Sequence, residues 1–455
     1  MPPSEHTERQ DDSALASQRR GKPLAHLRLV FPELGVVAIG EGATLGRTTS
    51  AAGAAEITFD DPRMSRRHAQ ITREALGWRL VDLGSRNGGY VDGVPLTPHG
   101  AVTLADGAVI RLGDSILVFR GGPPPPDDDE PEMFPGVSPI ATEVRARVRQ
   151  LAAATGHVLV LGETGTGKER VSRTIGGTGT FVPQNCAELT RELMRSDLFG
   201  HLRGAFSGAI ASKAGLVEVA SEGVLFLDEI GELPYELQGD FLRFLEDGSY
   251  RPVGLTAEVR HSDARIVAAT NVDLEAACQR GAFRRDLLAR LRASNAPLEL
   301  PPLRERREDI LLWADRFLAE AGAAGRAWEP GTAECLVLYG WPLNLRDLRG
   351  IVRAMVAASP AGPLGSQLLP EHIRAHRKSL RSPGVQEAQP PSPADPRAEP
   401  TREQIIDTLV RTSGRMRAVA AQLGIERRKL YRLCDQHGID FGSFRPASVP
   451  SEEEE

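Results

Sequence analysis

The chain has 455 residues, 41% hydrophobic and 25% charged, with a formal net charge of −6, a composition that supports about three domains with cores of their own. No apolar run reaches membrane length and no charged segment precedes a short apolar one, so a membrane span and a secretory leader are excluded and a cytoplasmic protein is expected. Its four cysteines, Cys186, Cys278, Cys335 and Cys434, stand far apart without metal-ligand spacing, as reduced thiols do.

Residues 1–21 are polar and are expected to be disordered. From 22 to 121 short runs such as HLRLVF, WRLVDL and SILVFR alternate apolar and polar residues between glycine and Asp-Gly turns, the pattern of an all-β sandwich. Within it LGR (Leu45 to Arg47), MSRRHAQI (Met64 to Ile71) and DLGSRNGGYVDG (Asp82 to Gly93) resemble, in order and spacing, the forkhead-associated (FHA) domain, a phosphothreonine reader. The resemblance implies that Arg47 and Arg66 supply cations to a phosphate, Ser65 a hydroxyl, and Arg86 with Asn87 a grip on the peptide backbone. His68 reads as structural. A proline and acid run, residues 122–134, cannot bury a core and reads as a linker.

The next stretch carries the densest motif. HVLVLG (His157 to Gly162) reads as a buried strand, GETGTGKE follows, and ERVSRTI can open a helix. In such a phosphate loop Gly162, Glu163, Thr164, Gly165, Thr166 and Gly167 turn backbone N–H groups toward phosphates, and Lys168 brings a charge to the β and γ oxygens. Glu169 stands where a magnesium-binding hydroxyl is usual, which leaves the metal to Asp228 and water. VLFLDE (Val224 to Glu229) is an apolar strand ending in two acids, of which Asp228 suits Mg2+ and Glu229 the attacking water. ATP and Mg2+ are the cofactors this constellation calls for.

Residues 135–377 resemble the AAA+ core of sigma-54-dependent transcription activators, through FVPQNCAEL, DLFGHLRGAFSGA, LFLDEIGELP, VRHSDARIVAATN, FRRDLLARL, LPPLRERREDI and GWPLNLRDL in family order. That family's phosphate loop also ends in GKE. Its hallmark GAFTGA loop stands here as Gly204, Ala205, Phe206, Ser207, Gly208 and Ala209, a glycine-flanked aromatic tip that contacts sigma-54 in the family. The resemblance further implies that Asn185 holds Glu229 from the water until the γ-phosphate is sensed, that Thr270 and Asn271 form a first sensor, and that Arg346 forms a second. Arg284 and Arg290 would reach the neighbouring subunit's nucleotide, so that activity requires a ring of six or seven subunits. One departure is Leu343, where the family's lid motif has glycine; a left-handed backbone there would strain leucine.

Residues 378–400 are again rich in proline and read as a linker. Residues 401–440 hold three short helical patterns: Ile405, Ile406 and Leu409 on the first, Ala418, Val419 and Leu423 on the second, and Leu430 with Leu433 on the third after an LGI turn. They resemble the Fis-type helix-turn-helix that ends many members of the family. Its third helix exposes Arg427, Arg428, Lys429, Tyr431 and Arg432, and the segment has eight basic residues against five acids, a local charge suited to DNA. Residues 441–455 close in an acidic tail.

The reading is therefore a multidomain chain: an all-β FHA sandwich, an α/β AAA+ phosphate-loop domain with a helical lid, and an all-α helix-turn-helix. The partners expected are sigma-54 RNA polymerase holoenzyme, double-stranded enhancer DNA, a phosphothreonine protein from a Ser/Thr kinase pathway, and further copies of the chain. Two other readings stay open, a DNA-binding regulator with a relic ATPase and a protein-unfolding AAA+ machine.

Overall fold

The computed structural model describes residues 24–49, 55–75, 77–126, 131–188, 191–255, 258–381, 419–420 and 427–436. The chain divides into two compact units between residues 383 and 384.

The first unit begins with the alternating segment, which forms β1 (Ala25–Phe31), β2 (Gly35–Ile39), β3 (Gly42–Arg47), β4 (Ile57–Phe59), β5 (Ala69–Glu74), β6 (Gly77–Asp82), β7 (Gly89–Val91), β8 (Val94–Pro95), β9 (Ala101–Leu104), β10 (Val109–Leu112) and β11 (Ser115–Gly121). A six-stranded sheet runs β2-β1-β11-β10-β7-β8 and a five-stranded one β4-β3-β5-β6-β9. Inward residues of both, including Leu27, Leu45, Ile71, Leu80, Ile110 and Phe119, share one core. Period-two patterning is what lets each sheet bury one face.

The α/β part is built on five parallel strands in the order β13-β14-β17-β12-β18. These are β12 (Val158–Leu161), β13 (Phe181–Asn185), β14 (Val224–Asp228), β17 (Arg265–Thr270) and β18 (Leu298–Glu299), while β15 (Ser249–Tyr250) and β16 (Arg260–His261) pair by themselves. The central strands are apolar throughout because helices cover both faces. Around them lie α1 (Pro139–Ala153), α2 (Lys168–Gly176), α3 (Arg191–Phe199), α4 (Leu216–Val219), α5 (Tyr235–Asp247), α6 (Leu274–Gln279) and α7 (Arg285–Ala293). A lid of α8 (Ile310–Glu320), α9 (Pro330–Leu338), α10 (Asn344–Ala358) and α11 (Glu371–Arg381) follows.

Two boundaries move. The lid's last helix runs to Arg381, past the expected break after 377. Phe134, read as linker, is buried in the core under α1, with the Arg306 guanidinium 4.4 Å from its ring centre.

In the second unit α12 (Arg427–Gln436) buries Leu430, Leu433 and Cys434. The expected first helix with Ile405, Ile406 and Leu409, the LGI turn, and the two chain ends lie outside the described residues, as do the side chains of Arg427 and Arg428. All four cysteines are free. Among the described residues no helix is long and apolar enough to cross a membrane.

Candidate functional site

The phosphate loop links the C-terminal end of β12 to the first turn of α2, where helix N–H groups lack intrahelical partners and favour an anion. Gly165 needs to be glycine for two reasons: its φ is +80°, and a Cβ there would lie 2.2 Å from the Leu343 carbonyl oxygen. Lys168 is buried, and its Nζ donates to the Gly162 carbonyl at 3.0 Å while standing 3.9 Å from Glu229 Oε1. Glu169 points outward and pairs with Arg173 one turn along the helix, so its carboxylate is committed to the helix surface.

Asp228 ends β14 and accepts the Glu229 N–H at 3.0 Å. Glu229 itself has φ +52°, a left-handed backbone that costs a non-glycine residue of order 1 kcal/mol and is typical of functional sites. The sensor strand closes the group: Asn271 donates its backbone N–H to Glu229 Oε2 at 3.3 Å and its Nδ2 to Thr164 Oγ1 at 2.9 Å. Thr270 is fully buried, and its carbonyl accepts the Gly162 N–H at 3.2 Å. Cys186 lies close by, and burial, reinforced by Asp228 and Glu229, pushes its thiol up to about 12. The buried thiol therefore favours its neutral form.

Asn185 stands in register with Asp228, yet its Oδ1 accepts the Ala187 N–H at 2.9 Å. The expected hold of Asn185 on Glu229 is replaced by contacts from Asn271 and Lys168. Arg284 forms a two-point bond with Asp286, and Arg290 donates to the carbonyls of Leu245 and Glu246. Among the described residues neither bonds to the phosphate loop of its own chain.

The lid grips that loop. Asn344 is fully buried and donates Nδ2 to Glu163 Oε2 and to the Thr164 carbonyl, while its Oδ1 accepts the Leu303 N–H at 2.7 Å. Arg304 holds Glu163 with two bonds of 2.7 and 2.9 Å, which keeps that carboxyl below its ordinary range. Arg346 is exposed beside Gly165, where an added Cβ would lie 3.2 Å from the Arg346 Cβ. Leu343 is not strained: its φ is −107°, and the left-handed positions fall on Trp341 and Asn344 instead. At that negative φ a glycine has no conformational advantage, and the leucine side chain is exposed. Sequence reading also passed over Arg306, a buried guanidinium that burial pushes down to about 10 and that reaches the Thr166 carbonyl at 3.4 Å.

The inserted loop projects between α3 and α4. Gly204 N–H to Ala209 carbonyl, 2.8 Å, closes its neck, and His201 and Lys213 exchange backbone bonds below it. Phe206 is 38% exposed and meets the His201 ring edge-on at 5.1 Å, and Ser207 is exposed beside it. The aromatic tip is thus presented, packed against a histidine whose ring nitrogen lies 2.7 Å from Ser196 Oγ.

In the sandwich, Arg47, Ser65, Arg66, Arg86 and Asn87 line one cavity of about 810 Å³. Ser65 Oγ accepts the Arg86 N–H at 3.1 Å and Asn87 Nδ2 donates to the Arg63 carbonyl at 2.6 Å, which joins the two loops. His68 is fully buried, its Nδ1 accepting the Ser65 N–H and its Nε2 facing the Gly88 carbonyl; burial lowers its pKa and keeps it neutral. Gly46 is required by packing, since a Cβ would sit 2.1 Å from the Arg66 carbonyl oxygen. Gly46→Ala is expected to lower stability by about 1–3 kcal/mol, read as a shift of the denaturant midpoint; an unchanged midpoint would mean the loop yields freely.

Three family models match this chain: a sigma-54 interaction domain over residues 134–296, an FHA domain over 43–113 and an AAA+ ATPase lid domain over 304–385. The alginate biosynthesis transcriptional regulatory protein AlgB of Pseudomonas aeruginosa is 40% identical over 315 residues, 66% of this chain and 67% of AlgB. The anaerobic nitric oxide reductase transcription regulator NorR of an Enterobacter species is 37% identical over 356 residues, 74% of this chain and 70% of NorR. The structure of Brucella abortus NtrX in complex with ATP aligns with a TM-score of 0.47 at 30% identity, covering 67% of this chain and 68% of NtrX. The chain belongs to the sigma-54-dependent transcriptional regulators. Sigma-54 interaction domains are AAA+ ATPases, and the match brings ATP binding to this chain.

This family member also joins its FHA domain to its lid. Arg120 on β11 makes bonds of 2.5 and 2.9 Å to Glu308, whose side chain is 0% exposed, and a third to Asp106. Burial works against the Arg120 charge, but these carboxylates hold its pKa above the ordinary arginine value. Arg307 pairs with Asp92 at 2.7 Å, and Glu334 lies between Arg111 and Arg377. Val30, Val109, Ile116 and Val118 of the sandwich pack into the same apolar cluster as Leu311, Ala314 and Leu338 of the lid.

Proposed function

We propose that this chain hydrolyses ATP as a ring, with Mg2+, and uses the cycle to drive the Phe206 loop against sigma-54 RNA polymerase at promoters. The observation that carries this reading is Asn271, which bonds at once to Glu229 and to Thr164 and so ties the water-orienting carboxylate to the phosphate loop. Among the described residues no three His, Cys, Asp or Glu side chains converge as an all-protein metal cage. That suits Mg2+, which takes one or two carboxylates and completes its shell with phosphate and water oxygens. Asp228 would hold it, and the bound ion supplies charge neutralisation at the phosphates. Lys168 orients the β and γ oxygens, and Glu229 places the attacking water. Arg284 and Arg290, engaged away from their own phosphate loop, act on the next subunit's nucleotide, and Arg346 reports nucleotide state to the lid.

Phosphothreonine binding at Arg47, Ser65, Arg66, Arg86 and Asn87 sets when the ATPase works. The supporting path is continuous. Arg63 N–H donates to Asp61 Oδ1, Asp61 Oδ2 accepts the Ser115 N–H and hydroxyl, and β11 runs from Ser115 to the Arg120–Glu308 contact on the lid. The segment with Arg427, Arg428, Lys429, Tyr431 and Arg432 holds enhancer DNA, and the protein acts in the cytoplasm.

The test is transcription in vitro with sigma-54 holoenzyme, ATP and an enhancer-bearing template. Open complexes should form with the parent chain and fail with Phe206→Ala, which keeps its ATPase. Equal open-complex formation by Phe206→Ala, or by the parent without ATP, would overturn the reading.

A further inference from the structure

The segment from Arg304 to Asp309 touches the phosphate loop on one side and the sandwich on the other. It consists of two single 3-10 turns, Leu303–Glu305 and Arg307–Asp309, separated by Arg306, whose φ of −124° and ψ of 56° redirect the chain. Neighbouring side chains therefore leave it in different directions. Arg304 forks Glu163 with bonds of 2.7 and 2.9 Å, and buried Arg306 reaches the Thr166 carbonyl at 3.4 Å. The next two residues turn to the sandwich. Arg307 Nη1 donates to Asp92 Oδ1 at 2.7 Å, and Glu308 accepts two bonds from Arg120, which also donates to the Glu305 carbonyl at 3.0 Å. Asp309, fully buried, accepts the Val137 and Ser138 N–H groups at the start of α1.

Short 3-10 turns hold little shape of their own. Their backbone bonds here run from Arg306 N–H to the Leu303 carbonyl and from Asp309 N–H to the Arg306 carbonyl, so the side-chain partners set where the segment lies. The phosphate loop also needs support from outside. Gly165 and Gly167 have φ of +80° and +105°, and glycines lose more conformational freedom on ordering than other residues. A loop already ordered when the nucleotide arrives spares that loss at binding. Holding the Glu163 carboxylate and the Thr166 carbonyl therefore strengthens ATP binding, through bonds that do not involve Glu229 or Asn271.

We infer that the sandwich sets how tightly the phosphate loop holds ATP, by fixing the Arg304–Asp309 segment from behind through Asp92 and Arg120. Arg304 and Arg307 are positioning residues: one grips the loop, the other anchors the grip on the sandwich. The inference rests on the phosphate loop being the seat of ATP, and it names the quantity that the sandwich controls, nucleotide affinity rather than the hydrolytic step.

The test uses the full-length chain and a fluorescent ATP analogue with Mg2+, with ATP turnover measured in parallel. Arg304→Gln should weaken binding about fivefold, the upper value for one exposed pair. The Arg307–Asp92 pair is partly exposed, so its loss leaves the fold intact. Asparagine at position 92 also tolerates the left-handed backbone and keeps an acceptor for the Val109 N–H. Arg307→Ala and Asp92→Asn should each weaken binding by about two- to threefold. These two variants separate contact from field. A long-range charge effect on an anionic nucleotide weakens binding when the arginine is lost and strengthens it when the aspartate is lost, whereas the relay weakens it in both. Arg304→Gln combined with Asp92→Asn should bind no more weakly than Arg304→Gln alone, because the two act in series. Turnover at saturating ATP should stay within about twofold of the parent throughout. Opposite shifts from Arg307→Ala and Asp92→Asn, multiplying effects in the combined variant, or a fall in saturated turnover at unchanged affinity would overturn the relay. ATP binding that survives Lys168→Ala would overturn the phosphate-loop reading itself.

Discussion

Replacing Glu229 with glutamine is expected to cut ATP turnover by about 10²–10⁴-fold, the usual contribution of a positioned base, while leaving nucleotide affinity within a few-fold of the parent. The expectation follows from where Glu229 sits. Its left-handed backbone, the bond from the Asn271 N–H and the Lys168 ammonium 3.9 Å away hold the carboxylate beside the phosphate loop. Glutamine keeps the shape and one acceptor but cannot take a proton from water. The measurement pairs phosphate release with binding of a fluorescent ATP analogue. Turnover above a tenth of the parent value would move the water-orienting role elsewhere, whereas loss of binding would make Glu229 a structural brace for the loop. Asp228→Ala should instead lose activity through the metal, and extra Mg2+ should recover part of it.

Much of this site was legible because local chemistry dictates it. A glycine-rich turn between a buried strand and a helix has few uses besides phosphate, and an apolar strand ending in Asp-Glu puts its acids at the sheet edge where that turn lies. The sandwich was legible for the same reason, through period-two alternation. What escaped was set by partners far away in the chain. Glu163 meets Arg304 across 141 residues and Asn344 across 181, and nothing in GETGTGKE says that its acid will be clamped by the lid. The Leu343 departure seemed costly only because a glycine suggests left-handed backbone. Here the lid turn places that conformation on Trp341, which is fully buried with its indole N–H on the Leu336 carbonyl, and on Asn344, whose side chain is bonded on every side. Tertiary contacts outweigh local preference at both. Asn185 is the converse case. The family pattern assigns it to Glu229, but a side chain at a strand end is equally able to cap the turn that follows it, and in this geometry the Ala187 N–H takes it.

The Arg120–Glu308 contact leads to the second large effect. Arg120→Ala is expected to destabilise the first unit by about 3–5 kcal/mol, the range for removing one partner of a buried ion pair and leaving the other without compensation. Glu308 is fully buried, and the two bonds from Arg120 are its contacts across the domain junction. The sign does not hinge on the pair being strongly favourable in itself, because desolvation offsets much of the attraction when both partners are present. The double variant Arg120→Met with Glu308→Leu removes both charges and continues the apolar cluster that Val118 and Leu311 already share, so it should regain most of the loss. Denaturant unfolding followed by tryptophan fluorescence reads both sides of the junction, since Trp78 lies in the sandwich and Trp313, Trp328 and Trp341 lie in the lid. Arg120→Ala should split the transition or shift its midpoint, and the double variant should restore it. A loss under about 1 kcal/mol, the size of a solvent-exposed pair, would mean that water reaches Glu308 and that the sandwich is not fixed on the lid. In that event phosphopeptide binding would have no rigid route to the nucleotide. If the pair holds as the geometry indicates, the double variant also separates packing from signal: it keeps the domains docked while removing the charged link between β11 and the first turn of the lid, so a phosphopeptide effect on ATP turnover that survives in it must travel through the apolar contact or the Arg307–Asp92 pair instead.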